Sequence, residues 1–180
     1  MILAVDIYYP TETDYTAAGV LFENFSSTEE IETIKIIRKG VLKPYIPGRF
    51  RERELPCILR LLKEIDLGKL DTIIIDGYAN LVDESGLPLE TLGKTLYTHL
   101  KNEGWSICIV GVAKSKFKES AMKNCKAVYR GEEAQTPLYI SSIGGKISNS
   151  EIAEKIKNMF GPFRLPHMIR LADRVSKGKE

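Results

Sequence analysis

The sequence is that of an α/β protein with a mixed sheet and helices on its faces, and three features lead to that expectation. Three strand-like segments come first, helical and strand patterns then alternate, and helical patterns close the chain. The run at 70–77, LDTIIIDG, is continuously apolar until it meets a carboxylate and a glycine, as suits a strand buried on both faces. At 180 residues the chain fits one domain, taken as 1–176, with a polar tail at 177–180.

The elements follow in order. Residues 1–7, MILAVDI, read as a buried strand carrying Asp6 near its end. Segments 17–25 and 31–40 combine β-branched content with partial alternation, so the chain opens as an antiparallel meander. Residues 53–66 repeat Leu and Ile at helical spacing, and Gly68 is placed to end that helix. After the strand at 70–77 come a loop at 79–89, an amphipathic helix at 92–103, a strand at 105–112 and a short connector at 121–124. Segments 127–131 and 137–143 read as late strands that can pair as a hairpin. Ser148 with Glu151 three residues on forms a capping box for a helix over 148–160, which Gly161-Pro162 stops, and 166–175 is a last helix.

Composition excludes several classes. With 43% hydrophobic and 28% charged residues the chain is neither disordered nor fibrous, and its longest apolar runs are far too short to span a bilayer. No leader-like pattern opens it, so an intracellular, cytoplasmic protein is expected, with Cys57, Cys108 and Cys125 reduced. The formal charge is only +2, but seven lysines and arginines between Lys101 and Arg130 face just two acids, Glu103 and Glu119. Such a local excess can track a phosphate backbone or form a solvated face.

Two constellations carry chemistry. Asp6 and Asp76 each end a buried apolar strand, and in an open α/β sheet ligands collect at that edge. If the strands are parallel neighbours the carboxylates converge, where repulsion favours a bound cation; hard oxygen donors without Cys or His favour Mg²⁺ or Mn²⁺ over zinc. A turn-capping role is the alternative for each. Lys114, after the strand ending in Gly111-Val112-Ala113, can reach the same edge as a phosphate-binding cation. The second constellation is PYIPGRFRERELP at 44–56. Pro44 and Pro47 stiffen a loop around Tyr45 and Ile46, Gly48 permits a turn, and Arg49, Arg51 and Arg53 lead to Glu54 at a helix start. A rigid wedge beside a basic cluster and a carboxylate suits distortion of nucleic acid at a metal site, or else is a charged surface loop.

PYIPG followed by Glu54 and Pro56, IDG at Asp76, GVAK at 111–114, TPLYIS at 136–141 and FRLPHMIRLAD at 163–173 together resemble the endonuclease V family, in the same order over nearly the whole chain. The resemblance implies an RNase H-like fold: a five-stranded mixed sheet, three antiparallel N-terminal strands plus parallel ones, with flanking helices. It implies that Asp6, Glu54 and Asp76 hold Mg²⁺ (Mn²⁺ substituting) and that Lys114 and Asp173 complete the catalytic set. It makes Tyr45 the wedge tip with Ile46, Pro47 and Gly48 beside it, and Gly111 part of the substrate-binding backbone. The implied reaction is hydrolysis of a phosphodiester near a deaminated, inosine-like base in DNA or RNA; a weakly paired base costs least to extrude.

The chain departs from the family where members carry DGHG, then HPR, then LG and an ASH-type segment. Here the stretch reads DGYANLVDESGLPLETLGKTLYTH: Tyr78 replaces the first histidine, HPR is missing, and Tyr97 holds the later histidine's register with His99 two residues off. The metal acids remain while the elements around the base are altered. Two further readings of the fold are a nucleic-acid-binding protein without turnover and a nucleotide phosphohydrolase.

Overall fold

A computed structural model describes residues 1–40, 42, 50–118, 122–131 and 135–179. The expected wedge residues Tyr45, Ile46, Pro47 and Gly48 lie outside them. Strands β1 (Ile2–Tyr8), β2 (Tyr15–Phe22) and β3 (Glu32–Arg38) form the antiparallel meander, followed by α1 (Phe50–Leu62) and β4 (Thr72–Asp76). Then come α2 (Leu92–Asn102), β5 (Cys108–Ala113), β6 (Lys126–Val128), β7 (Leu138–Ile143), α3 (Asn149–Lys157) and α4 (His167–Ser176).

The sheet order is β3-β2-β1-β4-β5-β7-β6, with β4 parallel to both β1 and β5. The expected α/β class is present, but the sheet has seven strands rather than five. The first five in that order match the expected set, and the β6–β7 hairpin extends it, β7 pairing antiparallel with β5.

Alternate residues of the central strands feed two cores, which is why these strands read as unbroken apolar runs. Leu3, Val5, Ile73, Ile75 and Ile109 pack with Ile58 and Leu61 of α1 and Leu96 and Leu100 of α2. Ile2, Ala4, Ile74, Val110 and Val112 pack on the other face with Ile152 and Ile156 of α3 and Met168 and Ala172 of α4. No described helix is long and apolar enough to cross a membrane.

Element ends move for local reasons. The β2 strand stops at Phe22, short of 25, because the Asn24 side chain accepts the Ser26 amide at 2.8 Å and turns the chain. The β5 strand starts at Cys108, later than 105, because Gly104 (φ 90°) lets Trp105 donate back to the Leu100 carbonyl and close α2. The capping box at Ser148 and Glu151 forms as expected.

Arg130, 8% exposed, holds the α3–α4 connector together. Its guanidinium donates to the carbonyls of Met159 (2.6 Å), Gly161 (3.0 Å), Phe163 (2.5 Å) and Lys157 (3.2 Å). Arg130→Met strands those acceptors, and a loss of about 3 kcal/mol in urea unfolding is expected. Lysine, without the planar fork, is not expected to rescue it.

Candidate active site

The β1–β4 register pairs Ala4 with Ile74. Carried two residues further, it sets Asp6 level with Asp76 at the carboxyl edge of the sheet. A cavity of about 180 Å³ opens there, lined by Asp6, Glu54 and Asp76 among Val5, Ile58, Ile75 and Leu92. Glu54 arrives from α1, whose Cys57, Ile58 and Leu61 anchor it in the core. Arg53 fixes the same turn: its guanidinium lies 4.2 Å from the centre of the Tyr9 ring and donates to the Glu12 carbonyl at 2.6 Å.

Burial and mutual repulsion govern this pocket. Glu54 is 7% exposed, and desolvation, then the charges of Asp76 and Asp6, push its carboxyl up to about 8. Desolvation likewise raises Asp6 above the usual carboxylate range, against a hydrogen bond from Ser176 and with Asp173 adding to the rise. Lys114 supplies counter-charge through a hydrogen bond from its Nζ to Asp76 Oδ2 at 2.6 Å. Its burial works against the ammonium, but that bond and the charges of Asp76, Asp6 and Asp173 hold its pKa above the ordinary lysine value.

Asp173 pairs with Lys177 at 2.6 Å and reaches the site through its charge, without lining the cavity. Gly111 is buried beneath the turn after β4. A β-carbon there would stand 2.4 Å from the Ala79 nitrogen and 2.5 Å from the Gly77 oxygen, so the approach of that turn requires glycine. His99 lies beside Glu103 and His167 against Phe160, both outside the cavity lining.

The donor set suits a hard divalent cation: three carboxylates in one cavity, two of which, Glu54 and Asp6, are held above the usual carboxylate range, with no thiol or imidazole among its lining. Among the described residues, no three His, Cys, Asp or Glu side chains stand in a ready metal-ligating group. Two of the carboxylates are engaged elsewhere, Asp76 with Lys114 and Asp6 with Ser176.

Sequence reasoning missed the positioning roles of three side chains, of which Tyr78 stands out in the sequence only as a departure from the family pattern. Ser176, 2% exposed, donates to Asp6 Oδ2 at 2.5 Å. Its spacing three residues after Asp173 on one helix face was the available signal. Ser176→Ala is expected to lower the unfolding midpoint by several degrees, as loss of a buried hydrogen bond to a carboxylate does. Ser141, fully buried, accepts the Ala79 amide at 2.9 Å and so fixes the turn over Gly111. Tyr78 donates to the Ser115 carbonyl at 2.6 Å and accepts the Phe117 amide at 2.9 Å, tying down the loop after Lys114.

Residues 1–81 match the family model for endonuclease V. Endonuclease V of a Nostoc species is 27% identical over 99% of this chain and 82% of its own length. Among solved structures, the catalytic domain of human endonuclease V covers 98% of this chain and 80% of its own, with TM-score 0.71 and 20% identity. Ciona intestinalis endonuclease V, solved with a 24mer DNA containing an inosine followed by a ribo-adenosine, covers 99% and 84% with TM-score 0.72 and 19% identity. The chain is thus similar to endonuclease V in sequence, through the family model over residues 1–81 and through proteins such as that of Nostoc along nearly its whole length, and it shares their fold.

Proposed function

We propose that this protein is a divalent-metal-dependent endonuclease that hydrolyses a phosphodiester near deaminated, inosine-like or distorted bases in DNA or RNA. The observation that carries the reading is the single cavity lined by Asp6, Glu54 and Asp76, with Lys114 bonded at its edge. Likeness to endonuclease V proteins, one of them solved with inosine-containing DNA, supports the substrate class.

Asp6, Asp76 and Glu54 would hold the ion, Mg²⁺ or Mn²⁺, in this reading. Such an ion, when bound, polarises a phosphodiester and lowers the pKa of an attacking water. Ser176 holds one oxygen of Asp6 in place, so its orientation is set before substrate arrives. Glu54, whose carboxyl is pushed up to about 8, would hold the ion as a carboxylate and would be placed to take a proton from water. Lys114 binds the phosphate, and Asp173 on α4 tunes the charge around Asp6. Tyr45 is assigned as the wedge tip, flanked by Ile46, Pro47 and Gly48.

The test is incubation with labelled duplexes and single strands, with and without inosine, in Mg²⁺, Mn²⁺ or chelator. Metal-dependent nicking supports the reading. Tight binding without nicking supports a binding protein instead, and release of phosphate from nucleotides alone supports a phosphohydrolase. Tyr45→Ala is expected to reduce the preference for inosine-containing over intact duplex more than it reduces basal nicking, since one stacked base contributes about 1–3 kcal/mol. An unchanged preference would remove Tyr45 from the wedge role.

A further inference from the structure

We propose that Tyr129 and the connector between α3 and α4 form a stacking platform that receives bases of the substrate strand beyond the Lys114 end of the cavity. The inference rests on the nuclease reading and extends it to a second contact surface.

Three large rings are exposed on these segments: Tyr129 at 59%, Phe163 at 54% and Phe160 at 49%. They sit on a stiffened scaffold. The Arg130 side chain binds the carbonyls of Met159, Gly161 and Phe163, and a β-carbon at Gly131 would stand 3.0 Å from the Arg164 nitrogen and the Pro162 oxygen. The backbone at Arg130 and Gly131, which directly follows Tyr129, is thus held against the connector. Rings held on a fixed backbone lose little freedom when a ligand stacks on them.

The platform adjoins the cavity edge. Arg164 donates to the carbonyls of Lys114 and Pro137, joining the connector to the end of β5. The Arg170 guanidinium lies 3.6 Å from the centre of the Phe163 ring, and Arg170 stands one helical turn before Asp173, whose charge bears on Asp6 and Lys114. A strand whose phosphate reaches Lys114 would therefore next meet Arg170 and Phe163. Aromatic rings interleaved with guanidinium groups suit nucleic acid, because every base has a face to stack and every linkage a charge to neutralise. A protein partner with an apolar surface would leave the Arg170 charge unmatched.

The test uses fluorescence anisotropy in chelator, so that cleavage does not intervene. A labelled 12-mer of thymidylate is compared with an abasic strand carrying the same number of phosphates. Wild-type protein is expected to bind the thymidylate strand about tenfold more tightly. Phe163→Ala and, separately, Tyr129→Ala should cut that advantage to less than threefold and leave abasic-strand affinity within twofold. Variants that keep the full advantage overturn the platform alone, leaving the rings as a surface for protein. A wild-type protein that binds both strands equally also overturns it, and one that binds neither sinks the nuclease reading with it.

Discussion

Asp76→Ala is expected to lower nicking of an inosine-containing duplex by at least about a hundredfold, with little change in unfolding midpoint. The substitution removes a carboxylate from the cavity and strips Lys114 of its 2.6 Å partner, so both proposed charge-handling functions fail together. A hundredfold loss corresponds to only about 2.7 kcal/mol of transition-state stabilisation, modest for a direct metal ligand. Stability should hold because Asp76 is an exposed strand-end residue whose neighbours Ile73, Ile74 and Ile75 do the packing. Asp71→Ala is the matched control: that carboxylate bonds the N-terminal amine at the opposite end of β4, and its loss should leave nicking unchanged. Comparable losses in both variants would mean that Asp76 contributes no more than surface charge.

Glu54→Gln is expected to stabilise the metal-free protein while abolishing nicking. The folded protein holds the Glu54 proton to about pH 8, whereas the ordinary value for the group is 4.5. Between those limits the folded state binds more protons than the unfolded one, so wild-type stability falls as pH rises through the window and levels off above about 8. An uncharged amide removes that dependence. At pH 5 the two proteins should unfold alike, and at pH 9 the variant should be more stable by about 2–4 kcal/mol, less than the whole shift because a buried amide also needs partners. Urea titrations at both pH values check this. Equal stabilities at pH 9 would show that Glu54 sits in a wetter place than its burial indicates.

This opposition between stability and chemistry explains which parts of the protein were legible in its sequence. Buried strands write themselves as apolar runs, and IIID at 73–76 identified both the centre of the sheet and a site carboxylate. Asp6 and Asp76 could be paired in advance because a parallel register of two strands ending alike brings their ends level. Glu54 was visible as a carboxylate at a helix start, but its burial was not, since a glutamate in an arginine-rich stretch looks like surface charge until tertiary packing covers it. Ser176 and Ser141 left little trace, because a serine gives the same local pattern whether it faces solvent or a carboxylate. Arg130 likewise read as one member of a basic segment. Its carbonyl partners come from residues 27 to 33 positions away, which no local pattern reports. The β6–β7 extension was written in the late strand patterns, whereas the family likeness pointed to five strands.

The claim beneath all of this is that Asp6, Glu54 and Asp76 act on one divalent ion. Calorimetric titration of Mn²⁺ into the wild-type protein and into Asp6→Asn, Glu54→Gln and Asp76→Asn tests it without reference to turnover. Each single variant is predicted to weaken binding of the same ion by at least about tenfold. Wild-type protein that binds no ion, or three variants that bind it as tightly as wild type, would contradict the account.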